Sequence, residues 1–293
     1  MSETFDVRDF LSPEVEDRVD ALELPFNKHG IDPYGVSKSD LALFFSVLGK
    51  AYKDYFHVQV FGRENVPKSG RGMLIGNHSG GVAIDGAMVI AACFFELDPP
   101  RLAQGMIEKF LSRVPGAAQI LGKAGQLTGL PEHCIRLLKE DRLLMIFPEG
   151  ARGTAKLYHE SDSLVRFGTG FMRLALETKT PILPFGFVGG GEAFPTILNL
   201  YGLGKALGLP YIPVPRYLLP VPRPATFQLL FGEPMLFEGT GRESDEEILV
   251  HVEKVRSRIA GLIEQGRRIR EGSLDPASLE LGGTSRDDGR EVR

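Results

Sequence analysis

Two short stretches hold the side chains best suited to chemistry. The first is Asn77-His78-Ser79-Gly80-Gly81-Val82-Ala83-Ile84-Asp85. Histidine titrates near neutral pH, so a neutral imidazole can take a proton from an alcohol. A carboxylate on the other ring nitrogen would fix the tautomer and stabilise the imidazolium that forms, and Asp85 is the candidate. Along an unbroken helix these two residues would stand about 10 Å apart, too far to bond. The pair therefore requires Gly80-Gly81 to break the path and fold His78 back, a conformation glycine permits. The bland alternative is a histidine and an aspartate that are close only in sequence.

The second stretch is Ile146-Phe147-Pro148-Glu149-Gly150-Ala151-Arg152-Gly153. An apolar strand runs straight into a carboxylate and a guanidinium with glycines beside each. Arg152 can bind a phosphate or carboxylate in bidentate fashion, and Glu149 can accept hydrogen bonds from hydroxyls. The competing reading is a surface turn with an incidental ion pair.

The elements around these stretches read as strands alternating with helices, which argues for an α/β fold with a mostly parallel sheet. Strands are expected at Val58 and Val60, over 73–76 running into Asn77-His78, within 116–127, over 143–147, over 181–188 and over 227–231. A histidine at the end of an apolar strand sits where such sheets place ligand-facing residues. Helices are expected over 83–95, 134–140 and 171–177. Ser39 is expected to cap a helix over 40–56, whose apolar face (Leu41, Phe44, Phe45, Leu48, Tyr52, Phe56) either packs on the core or, with Lys50 and Lys53 beside it, touches lipid. Ser244 with Glu247 forms a capping box for a helix that keeps Ile248, Val252, Val255, Ile259 and Ile263 on one face. The proline-rich run over 194–223 reads as loop, and its part from Tyr211 to Pro222 is either a packed connection or a membrane-facing segment, with Tyr211, Ile212, Tyr217, Leu218 and Leu219 beside Arg216. The organisation is a helical preface over 1–56, a single domain over 57–240, a packed C-terminal helix over 241–271 and a disordered tail over 272–293.

Together, the His-Asp stretch and the Phe-Pro-Glu-Gly stretch resemble the lysophospholipid and glycerolipid acyltransferase superfamily. FPEGARG is close to that family's Phe-Pro-Glu-Gly-Thr-Arg-Ser, with Ala151 and Gly153 in place of the Thr and Ser. The resemblance runs over most of 58–235 and includes PILPFGFVGGGEAF and FGEPM. It implies an acyltransferase that moves a fatty acyl group from acyl-CoA or acyl carrier protein, as co-substrate, onto a glycerolipid-type hydroxyl, with no bound cofactor and no metal. It implies His78 as general base, Asp85 as its partner, and Glu149, Gly150 and Arg152 as acceptor-binding positions. Backbone amides near Gly80 and Gly81, or at Gly150, would serve the oxyanion. Six residues separate His78 from Asp85 where the family usually has four, which is closer to the monoacylglycerol and diacylglycerol acyltransferase-like subgroup. Gly125-Gln126-Leu127-Thr128-Gly129 stands where many relatives carry a second acceptor-binding arginine, which weakens the case for a phosphate-bearing acceptor. A lysophosphatidate acyltransferase, a silent lipid-binding homologue and a thioesterase-like hydrolase are the competing readings.

Composition agrees with an ordinary globular chain: 293 residues, 43% hydrophobic, formal net charge −4. That balance argues against nucleic acid as a partner. Cys93 and Cys134 read as small buried hydrophobes. The acidic N-terminal stretch lacks a signal-peptide layout, and no apolar run is long enough to span a bilayer. The expected place is cytoplasmic, at the inner face of a membrane as a peripheral protein.

Overall fold

The computed structural model describes residues 11–108, 116–219, 221–279 and 281. Most of the expected disordered tail lies outside the described residues. Of its first part, Pro276–Ser278 forms a single 3-10 turn.

A seven-stranded sheet organises the molecule. Its strands are β1 (His57–Phe61), β2 (Gly72–Gly76), β3 (Ala103–Ile107), β4 (Leu127–Thr128), β5 (Leu143–Ile146), β6 (Ile182–Val188) and, after the two short strands described below, β9 (Thr226–Phe231), in the order β1-β9-β6-β2-β5-β3-β4. Neighbours run parallel except β6 and β9. The sheet is thus mostly parallel, with β1 and β9 reversed together at one edge. Side chains alternate across it, as the period of two demands. Leu74, Leu143, Met145, Phe185 and Phe187 enter one core. Met73, Ile75, Leu144 and Ile182 enter the other.

Helices cover both faces. On one lie α1 (Pro13–Asp20), α2 (Lys38–Lys50) and α3 (Ile84–Phe95). Phe45 of α2 stacks on Phe94 of α3 with centroids 3.6 Å apart. The apolar face expected over 40–56 is therefore core: Leu41 and Phe45 of α2, and Tyr52 and Phe56 in and just after the π-helical turn Ala51–Tyr55, are buried, and Lys53 pairs with Glu14. The other face carries α5 (Pro131–Lys139), α7 (Gly170–Thr178) and α10 (Asp245–Arg270). The Ser244–Glu247 capping box opens α10, and Ile248, Val252, Val255, Ile259 and Ile263 are all buried. Among the described residues no helix is long and apolar enough to cross a membrane.

The structure corrects several local expectations. Ser37, not Ser39, caps α2, its hydroxyl accepting from the Asp40 amide at 3.0 Å. The expected strand over 116–127 is a helix, α4 (Ala117–Lys123), before the two-residue β4. Strand β3 has only five residues and two of them are Gln104 and Gly105, so neither length nor alternation marks it. The proline-rich run is not all loop. It holds β7 (Thr196–Asn199), α9 (Tyr201–Ala206) and β8 (Pro213–Pro215), with β7 and β8 pairing as a separate antiparallel ribbon.

Candidate active site

The site lies at the carboxyl ends of β2 and β5, adjacent parallel strands at the middle of the sheet, where open α/β sheets bind ligands. Asn77 continues β2 by side chain rather than backbone. Its amide donates to the Phe187 carbonyl at 2.9 Å and accepts from the Phe187 N–H at 2.8 Å, tying the start of the site loop to β6. The loop then turns sharply. Gly80 and Gly81 have φ of 84° and 70°, and Ala83 holds a left-handed φ of 54° just before α3 begins. A side chain at Gly80 would also put its Cβ 2.8 Å from the Lys156 carbonyl oxygen. This path brings His78 and Asp85 together.

His78 Nδ1 lies 3.1 and 3.2 Å from the two Asp85 carboxylate oxygens. Asp85 is wholly buried, and it also accepts from the Ser79 amide at 2.7 Å, the Ser79 hydroxyl at 3.1 Å and the Gly86 amide at 2.7 Å. It sits in the first turn of α3, where backbone N–H groups and the helix dipole favour a negative charge. Burial alone would raise its carboxyl, but His78 and these hydrogen bonds hold it below the usual range. With Nδ1 committed to Asp85, Nε2 is the ring nitrogen left to exchange a proton with a ligand. The His78 ring is also stacked on Phe147, which follows β5, with centroids 3.8 Å apart and planes 9° from parallel.

The second stretch behaves differently from its sequence reading. The Glu149 side chain is fully buried, with Oε2 2.6 Å from the Lys156 ammonium, while the residue itself lines the cleft described below. Lys156 is equally buried and also donates to the His78 carbonyl at 2.6 Å and to the Ser163 carbonyl at 2.6 Å. Burial pushes the Glu149 carboxyl up and the Lys156 ammonium down, and their mutual attraction opposes both. Sequence reasoning missed Lys156, because a lysine in a turn after a motif carries no signal of its burial. The pair joins the Phe-Pro-Glu-Gly loop to the backbone of His78.

Gly150 has φ 58° and ψ −150°, a conformation almost confined to glycine. Its N–H donates to the Phe147 carbonyl at 3.0 Å, closing the loop on itself. Gly153 explains one departure from the usual motif. A Cβ there would lie 2.7 Å from Glu149 Oε2 and 2.8 Å from His78 Cβ, so the two stretches meet across it. Arg152 is exposed and donates to the Arg166 carbonyl at 3.2 Å. It lines a cleft of about 420 Å³ with Phe147, Glu108, Gly150 and Phe171. His78 does not itself line this cleft; it reaches it through Phe147. No cluster of three or more metal-ligating side chains occurs among the described residues.

Comparison with known proteins places this geometry in context. Residues 57–188 match the family model described as Acyltransferase. An uncharacterized protein of Mycobacterium tuberculosis is 32% identical over 216 residues, covering 71% of this chain and 59% of that protein. The chain thus spans about three fifths of the length of its mycobacterial relatives. The human protein named DGAT1/2-independent enzyme synthesizing storage lipids is 26% identical over 226 residues, covering 76% of this chain and 65% of that one. Among solved structures, the 1-acyl-sn-glycerophosphate (LPA) acyltransferase PlsC of Thermotoga maritima has the same fold, with a TM-score of 0.50 at 18% identity over 76% of this chain and 80% of that one.

Proposed function

We propose that this chain, which matches the Acyltransferase family model over residues 57–188, transfers a fatty acyl group from an acyl thioester to the hydroxyl of a glycerolipid-type acceptor. The donor is acyl-CoA or acyl carrier protein. The observation that carries this reading is the clamp of Asp85 on His78 Nδ1, which orients Nε2 as a base and supports the imidazolium.

His78 Nε2 removes the proton from the acceptor hydroxyl as its oxygen attacks the thioester carbonyl. Backbone amides of the Gly80-Gly81 turn receive the oxyanion. Collapse of the tetrahedral intermediate breaks the carbon–sulfur bond, and the imidazolium returns its proton to the departing thiolate. Ester and thiol leave together, and the base is regenerated.

The cleft favours a neutral acceptor, a glyceride or long-chain alcohol. A Cβ at Gly150 would lie 2.9 Å from a Glu108 carboxylate oxygen, so an acid faces the same loop as Arg152. A phosphate dianion would meet that acid as well as the guanidinium. The storage-lipid relative points the same way. The competing reading is a lysophosphatidate acyltransferase with Arg152 on the acceptor phosphate. Labelled acyl transfer from acyl-CoA and acyl carrier protein to monoacylglycerol, long-chain alcohol and lysophosphatidate, with His78→Ala as control, tests both. A His78-dependent ester on the neutral acceptors is expected. Unchanged turnover in the control, or free fatty acid as product whatever the acceptor, overturns the reading.

A further inference from the structure

Between Glu192 and Glu233 the chain carries three cations, Lys205, Arg216 and Arg223, and no acid. In a protein of net charge −4 this stretch is a local exception, and it coincides with the β7–α9–β8 excursion. Apolar side chains stand out from it into solvent. Ile197 lies on β7, Tyr201, Leu203 and Leu207 on or just after α9, and Leu218 and Leu219 in the turn after β8, the last two 75% and 64% exposed. All three cations are exposed beside them. Single exposed apolar residues are ordinary; a run of large ones interleaved with cations is the composition of a surface that enters a lipid interface.

The excursion is held rigidly at its base and offers only its outer side. Tyr211 is buried, its hydroxyl donating to Thr154, and a Cβ at Gly204 would fall within 2.5 Å of Tyr211 backbone. The Tyr217 hydroxyl donates to the Ala193 and Val221 carbonyls, and Tyr55 donates to the Pro222 carbonyl. Tyr211 and Tyr217, which only the membrane-facing alternative would turn to lipid, are thus anchors. Leu203 and Leu207 before them and Leu218 and Leu219 after them are exposed.

Those anchors connect the surface to the active site. Thr154 and Ala155, which hold Tyr211 and the Asn199 amide, immediately precede Lys156. Phe194, next to β7, packs where a Cβ on Gly81 would lie, 3.0 Å away. We propose that the β7–α9–β8 excursion and the turn after it form a docking surface for anionic bilayers, which seats the active-site cleft at the lipid surface. The leucines insert at the headgroup boundary while Lys205, Arg216 and Arg223 meet lipid phosphates. The use of such a surface rests on the acyl-transfer reading, but its existence is tested separately.

The test is flotation of the full chain with vesicles of phosphatidylcholine alone and of phosphatidylcholine with phosphatidylglycerol. Wild type should float with the anionic vesicles, less so in 1 M salt (about a threefold shorter screening length than at 0.1 M). Leu218→Asp/Leu219→Asp and, independently, Leu203→Asp/Leu207→Asp should each weaken partition at least about tenfold, with unchanged circular dichroism. Acyl transfer to a short-chain, water-soluble acceptor should survive both pairs, while transfer to long-chain acceptor in vesicles falls. Wild-type flotation by both folded variants overturns the proposal. So does a wild-type dimer that both pairs dissociate without any vesicle binding, since the surface is then an interface between copies. Leucine-dependent flotation with no transfer to any acceptor leaves the docking surface standing and refutes the acyl-transfer reading instead.

Discussion

The imidazole of His78 lies flat on the ring of Phe147, with centroids 3.8 Å apart and planes 9° from parallel. Asp85 grips the same imidazole at Nδ1. One contact sets the ring's plane and the other its rotation within that plane. The imidazole two residues beyond β2 is thus oriented by the first residue beyond β5, which joins the two sequence stretches.

Removing the stack should therefore cost turnover more than affinity. Phe147→Ala should lower kcat about tenfold or more with a smaller change in KM, and it should cost about 1–2 kcal/mol of stability, since the ring is only half-buried and lines the cleft. Phe147→Leu should recover most of the stability and little of the kcat. Equal recovery of both by leucine would show that the ring only fills space.

Asp85 acts on both rate and fold. Asp85→Asn should lower kcat/KM by about 10²–10⁴. Because the folded carboxyl is held below its ordinary value of 3.8, its ionised form stabilises the fold above that pH, and the benefit is lost as pH falls through the folded value. Denaturant titrations of wild type and Asp85→Asn should differ most near neutrality and converge below about pH 4. A difference independent of pH would remove the electrostatic account.

Lys156 and Glu149 form a buried pair, so breaking it should cost more than deleting it. Lys156→Met should lose about 3–5 kcal/mol by leaving a carboxylate buried alone, and Lys156→Met/Glu149→Gln should regain most of that. Without its partner, the upward push of burial on Glu149, reinforced by Asp85, is opposed only by His78. The Lys156→Met variant should then lose stability as pH rises above the ordinary value of 4.5. Additive single effects would disprove coupling.

Gly153→Ser restores the family's more usual residue, yet here it should be harmful. Its Cβ would meet Glu149 Oε2 and His78 Cβ inside 3 Å, an overpacking worth about 1–3 kcal/mol. Thermal melts and kcat should both fall. Wild-type values for both would show that the two stretches can separate at no cost.

Burial pushes the Cys93 and Cys134 thiols up to about 12 and about 11. Both should resist a thiolate-specific reagent at pH 8 in the native protein and react fully in denaturant. Rapid native labelling of either would contradict the packing around it.

Much of this site was legible in the chain. The types and order of His78, Asp85, Glu149 and Arg152 suggested the chemistry proposed above, the glycine pair predicted the fold-back that the φ angles of Gly80 and Gly81 display, and the periodic face of α10 predicted its burial. Those features are local: they depend on a residue's neighbours within a turn or two, which the sequence lists directly. Charge partners and close approaches depend on distant segments meeting. Nothing near Lys156 in the chain says that it sits between Glu149 and the His78 carbonyl. Nothing beside Gly153 says that His78 stands across from it. Likewise the leucines and tyrosines of the proline-rich run share one texture in sequence, and only packing divides them into anchors and exposed tips. The sequence by itself determined which groups are available for chemistry and the period that lays them on strands and helices. The tertiary structure alone decided which of those groups are buried, paired or free, because burial and pairing are properties of contacts between segments dozens of residues apart.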